Sequence, residues 1–437
     1  MMHADQPALS AEKRGPILFT NVRIFDGTAK ALSAGEVLIQ GNRIKKVATG
    51  GEKLPRASAE VVDGGGATLM PGLINAHCHM SYTGPQNMGH IPPEEHTLIT
   101  ARQAKIILDH GMTAAVGAGS AKPRLDIAVR NEINAGYIPG PRYLAATPEI
   151  TVTGGLGDSR QLHMHHNELA HYFDGPHELR RIVREYCREG VDVVKLMISG
   201  DHLIPNFCDA DQTAMDEDEV AVGTHIAHQR GRTLNCHARN PESIKRAIKY
   251  GIQRIYHATL ADEESLDLLE ANKDKHWIVP ALGFTYATAY EAGDFGISPA
   301  TAEKWGFVDE LAKGAETMKK MHKRGIRILP FGDYGFPWTP HGTDTRDFRH
   351  FQKMLGFKPY EILRAATAYG AEAFGKPNEL GQVKAGYLAD LVMLDGNPLE
   401  DLDLFLDQAN ILMIMKDGDF HKALQPIRKV RARQAAE

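Results

Sequence analysis

Long apolar runs are missing from this chain. Nowhere do about 18 uninterrupted apolar residues occur, the length a membrane helix needs, so the sequence predicts no membrane span. Cysteine is scarce, with four in 437 residues, and none forms a CxxC pair, which leaves no disulfide framework. A surplus of charge is also absent: 50 Lys+Arg against 55 Asp+Glu leave a net charge of −5. Nucleic-acid binders usually carry a basic excess, so nucleic acid is not an expected partner. The opening stretch MMHADQPALSAEKRG lacks the apolar core of a secretory signal, and the expected location is the cytoplasm. No internal repeat, low-complexity segment or functional charge run stands out. What is there, 43% hydrophobic and 24% charged residues, is the composition of an enzyme-sized globular protein.

Both ends read as short strands. ILFTNVRIFDG and EVLIQGNRIKKVA near the start alternate apolar and polar residues, and GQVKAGYLADLVMLDG and ILMIMKDGDFHK repeat the texture near the end. One small β-domain assembled from both termini is expected. Between them, strand-like runs occur at LMPGLINAH, TAAVGAG, RYLAAT, VDVVKLMIS, RTLNCHA, RIYHATL, HWIVPAL and RILPFGD. Amphipathic stretches such as HELRRIVREYCREG and PESIKRAIKYG separate several of them, and most of these stretches close on Gly. Eight strands alternating with helices predict an α/β fold, a (β/α)8 TIM barrel. A doubly wound sheet is the competitor, but no GxGxxG turn follows the first strand. The expected boundaries are 1–72 and 379–437 for the two parts of the β-domain and 73–378 for the barrel.

The chemistry-bearing residues fall at strand ends. Asn75-Ala76-His77-Cys78-His79 closes the first barrel run, and period-two alternation sends His77 and His79 to one face and Cys78 to the other. Alone, a His-x-His pair is weak evidence. Lys195, however, lies in the apolar run VDVVKLMIS, where an unpaired ammonium is costly to bury. His237 ends RTLNCHA, His257 stands in RIYHA, and Asp333 ends RILPFGD. Catalytic residues of barrels come from such ends, and six coincidences of type and position are hard to dismiss.

These residues, in this order, resemble the amidohydrolase superfamily: His-x-His, a carboxylated lysine, two histidines and a last-strand aspartate. ATLMPGLINAHCH and ELGQVKAGYLADLVMLDGNPLED resemble it too, and the likeness runs from about Pro16 to about Lys422. Within it, Lys195 and the TGGLGD loop look like the branch of imidazolonepropionase-related carboxypeptidases, prolidases and ochratoxinase. PFGDYGFPWTPHGTDTRDFRHF is similar to phenylurea and molinate hydrolases. Related loops often read TGGHGD, and Leu156 here replaces that histidine, which puts one loop contact to the substrate in doubt. The resemblance implies two divalent metal ions, foremost Zn2+. His77, His79 and Asp333 would hold one, His237 and His257 the other, and Lys195 would bridge them as N6-carboxylysine. Manganese or cobalt suits such a donor set as well. It further implies attack by a metal-activated hydroxide on an amide, urea or carbamate C–N bond of a small aromatic substrate, with Asp333 moving the proton. A homo-oligomer, tetramer to octamer, is the usual assembly. An Xaa-Pro-type dipeptidase or carboxypeptidase is the alternative activity. A non-catalytic scaffold, as among dihydropyrimidinase-like proteins, is the rival from another class; those have lost metal ligands, whereas all six ligand-type residues are present here.

Weaker signals surround the six. Arg239 can bind a substrate carboxylate bidentately or simply pair along the rim. Tyr82, Tyr334, Trp338 and His341 lie just beyond ligand positions, where an aromatic rim suits an aryl substrate but also caps barrels. The histidine-rich stretch 161–171 fits no metal-binding spacing and reads as a loop after the third strand. Alternation turns Cys78 and Cys236 away from the site, and Cys187 falls on a helix with no basic partner assigned.

Overall fold

The computed structural model describes residues 15–83, 88–158, 160, 163, 169–203 and 208–425. The two ends of the chain build one eight-stranded sheet. Its order is Asp419–Lys422, Ile411–Lys416, Leu391–Leu394, Thr68–Pro71, Ile17–Ile24, Ser33–Gln40 and Arg43–Thr49, with Glu60–Asp63 also paired to Ile17–Ile24. Leu391–Leu394 runs antiparallel to Thr68–Pro71, which places a C-terminal strand directly against an N-terminal one. Phe19, Val37, Leu69, Leu391 and Met413 bury one shared core.

The run LMPGLINAH, expected as a single strand, is two. Thr68–Pro71 belongs to the terminal sheet and Leu73–Cys78 to the middle of the chain. The break is at Gly72, where a Cβ would stand 2.1 Å from Thr113 Oγ1, so only glycine lets the backbone pass so close.

In the middle, Leu73–Cys78, Met112–Gly117 and Arg142–Leu144 form a parallel three-stranded sheet. Val193–Met197, Thr233–Ala238, Arg254–His257 and Trp277–Val279 form parallel neighbours in a second sheet. Single parallel bridges join Ala146 to Val193, Ile278 to Ile328 and Cys78 to Tyr334. Neighbours therefore follow chain order around the set, with helices such as Pro93–Asp109, Pro176–Glu189, Glu217–Gln229 and Pro241–Lys249 between them. This arrangement is a mixed α/β fold consistent with a TIM barrel.

Three expectations need correcting. RILPFGD makes only the Ile328 bridge, because Pro330 has no N–H for a ladder and Phe331, Gly332 and Asp333 turn left-handed, with φ of 80°, 122° and 54°. HWIVPAL stops as a strand at Val279, and Leu282 opens the helix Leu282–Tyr290, apolar on nearly every side and so without the polar face that marks a surface helix. Two further strands, Glu149–Val152 and Ala170–Phe173, pair in the second sheet, where a loop was expected.

Candidate active site

Alternation along the strands sorts core from site. Val194 and Leu196 join the large cluster with Leu179 and Ile226, and Lys195 faces the other way. Leu234 and Cys236 do the same on Thr233–Ala238, leaving Asn235 and His237 inward. Cys78 and Cys236 are buried free thiols of that outer core. Cys187 is buried as well, and burial pushes its thiol up, but Arg232 stands close enough to oppose that shift, a basic neighbour the sequence did not assign.

At the strand ends, His77 Nε2 and His79 Nε2 lie 3.0 and 3.2 Å from Asp333 Oδ1, and His257 Nε2 lies 3.7 Å from Asp333 Oδ2. The His237 ring is 4.4 Å from that of His257, and its Nε2 is 2.9 Å from the Gly200 carbonyl oxygen. Lys195 is 1% exposed, with Nζ 4.3 Å from the centre of the Tyr256 ring. Tyr256 stacks on His77 at 3.6 Å and donates its hydroxyl to the Ala76 carbonyl, so one phenol is the floor for two of the six. No sequence motif announced Tyr256. His257 and Asp333 both have positive φ, 69° and 54°, a conformation non-glycine residues rarely adopt and one that clusters at functional sites.

Electrostatics fit a cation. Burial depresses His77 to about 4 against the pull of Asp333, and depresses His237 to about 3, reinforced by Arg239. His257 is lowered well below its ordinary value by burial and Arg239. Burial acts to raise Asp333, but His77 and His257 together hold it well below the usual carboxylate range. Burial lowers Lys195, opposed by the charges of Glu149 and Asp333. The Nδ1 atoms of His77, His79 and His257 are buried with no hydrogen-bond partner. Ligand atoms of His77, His79 and Asp333 all lie within 4.8 Å of one another, a group able to hold a metal ion. Buried imidazoles with free nitrogens beside a carboxylate are the donor set a divalent ion takes.

The cavity over this cluster is lined by His79, Lys195, His237, His257 and Asp333 on one side, and by Tyr82, Leu156, Leu169, Leu203, Phe284 and Phe336 on the other; Glu149, Gly157, Met197 and Asp201 complete it. Of the five candidate substrate contacts, Tyr82 alone is among them. Arg239 is fully buried, with its guanidinium spent on Asp201 and Glu310. Tyr334 donates to Asp347, and His341 Nε2 meets the His79 carbonyl oxygen at 3.0 Å. Trp338 donates Nε1 to Thr288 and packs behind Phe336, at 5.4 Å between rings. Alternation and motif position could not find Glu149, Phe284 and Phe336, because their approach depends on how a strand, a helix and a loop from separate segments pack. Leu156, the position at which this loop departs from TGGHGD, lines the cavity. Of the stretch 161–171, residues 161, 162 and 164–168 lie outside the described residues.

Among the described residues, no helix is long and apolar enough to cross a membrane. Ochratoxinase of Aspergillus niger is 27% identical over 384 residues, covering 81% of this chain and 75% of that protein. Imidazolonepropionase of Rubrobacter xylanophilus is 22% identical over 448 residues, covering 96% and 97%. Among solved structures, a prolidase complexed with N-methylphosphonate-L-proline superposes with a TM-score of 0.83 at 27% identity, covering 93% of this chain and all of that one. Molinate hydrolase and phenylurea hydrolase B reach 0.73 and 0.72 at 21% and 20% identity, a likeness of fold. The profile of the amidohydrolase family matches residues 68–420, and the chain belongs to that family, as a hydrolase of the amidohydrolase superfamily.

Proposed function

We propose that this protein is a metal-dependent hydrolase of a carbon–nitrogen bond, in an amide, urea or carbamate, with a small substrate bearing an apolar, aryl-type group. One observation carries the reading: a single cavity sets the His/Lys/Asp cluster against a wall of Tyr82, Leu156, Phe284 and Phe336. His77, His79 and Asp333 would hold one divalent ion and His237 and His257 a second, foremost Zn2+, with Lys195 between them as N6-carboxylysine. Lowered basicity from burial supports that role for Lys195, since the neutral amine is the form that captures CO2. A divalent ion bound here would supply Lewis acidity toward the scissile carbonyl and toward water. Asp333, ionised at neutral pH, accepts the proton of the attacking water and delivers it to the leaving nitrogen. The apolar wall seats the substrate and keeps bulk water away.

The same reading treats residues 73–378 as a closed (β/α)8 barrel and residues 1–72 with 379–437 as a β-sandwich. The three single bridges support barrel closure, and the terminal sheet supports one small β-domain built from both ends. A cytoplasmic homo-oligomer, tetramer to octamer, completes it, to be checked by light scattering. The second reading is an Xaa-Pro dipeptidase or carboxypeptidase, favoured by the prolidase superposition. It requires a carboxylate anchor other than Arg239, whose charge is already paired. Turnover of para-nitroacetanilide, aryl ureas and aryl carbamates against Xaa-Pro dipeptides by the metal-loaded enzyme separates the two. Cleavage confined to the dipeptides would retire the first reading.

A further inference from the structure

Glu149 has no part in the mechanism above, yet it lines the cavity. It opens Glu149–Val152, a strand tied to the Lys195 strand by the pairing of Ile150 with Leu196. Two glycines shape a slot for its side chain. A Cβ on Gly119 would stand 3.1 Å from Glu149 Cγ and 3.2 Å from His79 Cε1, and a Cβ on Gly157 would stand 3.2 Å from Glu149 Oε2. Gly157 also has a φ of +92°, which other residues rarely adopt, so the loop comes this close only as glycine. Gly119 thus has the Glu149 and His79 side chains on its two open sides, and both line the same cavity.

An ionised carboxylate only accepts hydrogen bonds. Among the described residues Glu149 has no ion-pair partner, and the Tyr82 hydroxyl, whose acidity is suppressed by burial and then by the charge and hydrogen bonding of Glu149, is the one phenol in its reach. Of the same cavity, Leu156, Leu169, Leu203 and Phe284 have no side-chain donor to offer, and Lys195, whose basicity burial lowers and the Glu149 charge raises, makes no ion pair with it. A carboxylate has about four lone-pair sites, and with one phenol in reach most of them are costly to leave unpaired when a substrate displaces water. A further donor must then come with the substrate.

We propose that Glu149 is a specificity-determining residue that accepts a hydrogen bond from a substrate N–H adjoining the scissile carbonyl, so that the substrate class is N–H-bearing amides, ureas or carbamates. The proposal rests on the C–N hydrolase reading. A neutral amide N–H and an α-ammonium group both supply this donor, and the experiment distinguishes them.

The test uses the metal-loaded full chain with three probes: para-nitroacetanilide, its N-methyl derivative and alanine para-nitroanilide. The wild type is expected to favour para-nitroacetanilide over the N-methyl compound in kcat/KM by roughly 10- to 100-fold, the range for a hydrogen bond to a charged group. Glu149→Ala should collapse that ratio toward one, mostly through KM, with metal content unchanged, and Glu149→Gln, whose amide oxygen still accepts but carries no charge, should lower it in part. If the donor is an ammonium, the collapsing ratio is instead that of alanine para-nitroanilide to para-nitroacetanilide. Ratios unmoved in both variants overturn the proposal while leaving C–N hydrolysis standing, and so does a loss of bound metal in Glu149→Gln. Should the wild type cleave none of the probes, the hydrolase reading fails on its own. Calorimetric Kd values for the same three compounds then decide the role of Glu149: equal wild-type and variant ratios overturn it, and a collapse supports it.

Discussion

The two sides of the cavity were reached by different routes. His77, His79, Lys195, His237 and His257 sit on or directly after strands, where period-two alternation and the strand end together fix position and direction, whereas Asp333 is aimed by a left-handed turn. The opposite wall is built by loops and by the helix Leu282–Tyr290, and of its residues only Tyr82 and the loop position Leu156 carry a sequence signal. A strand constrains its side chains locally, whereas a loop wall is set by what packs behind it. Trp338 is the example: reasonable as a substrate contact from its place after Asp333, it instead backs Phe336 and Phe284, at 5.4 and 6.1 Å between rings. Chemistry is therefore expected to break sharply on one side of the cavity, and selectivity to shift gradually on the other.

The largest effect belongs to Lys195. Lys195→Ala should cut kcat/KM on the order of 10³-fold, a loss equivalent to several kcal/mol of metal-ion catalysis. Added formate or acetate should restore part of it. Lys195→Arg should not respond, because a guanidinium stays charged and fills the space. Full activity of Lys195→Ala, or a bare amine at Lys195 by mass analysis of the active enzyme, would sink the bridging role. Next comes Asp333→Asn, expected to lower kcat by at least about 10²-fold with melting temperature and circular dichroism near wild type. A folded variant with normal turnover would remove Asp333 as the proton carrier.

Acid should act on the cluster side as well. His77 is depressed to about 4 and His237 to about 3 by burial, while in the unfolded chain both titrate near 6.5. Between those values the unfolded chain binds more protons than the folded one, so stability falls as pH drops from about 6.5 toward 4. By pH 5, His77 alone accounts for about 2 kcal/mol. Metal-free protein should show this in denaturant melts at pH 7 and pH 5, and His77→Asn should shrink the difference by its own share, leaving that of His237. An unchanged slope in that variant would mean His77 is not buried neutral.

The smallest expected effect lies on the wall. Phe336→Ala should raise KM for an N-aryl substrate by about 10-fold, the cost of roughly 1.4 kcal/mol of lost apolar contact, with little change for a small aliphatic amide. Trp338→Ala should do the same more weakly, acting through Phe336. Equal effects on both substrates would remove the reason to prefer aryl compounds.

The comparison also marks where sequence reading ends. Composition, strand alternation and the order His-x-His, Lys, His, His, Asp identified the six residues and the sheet built from both termini, because burial and period-two geometry act over a few residues and leave a readable pattern. Three things had no such pattern. The splitting of LMPGLINAH at Gly72 depends on Thr113, some forty residues on. The pairing of Arg239 depends on Asp201 and Glu310 from two other segments, which turned a candidate substrate anchor into a buried ion-pair centre. The left-handed turn at Phe331, Gly332 and Asp333 is anchored by Asp347, whose carboxylate accepts the Phe331 N–H. In each case the deciding partner is distant in the chain and near in space, and only the folded structure brings the two together.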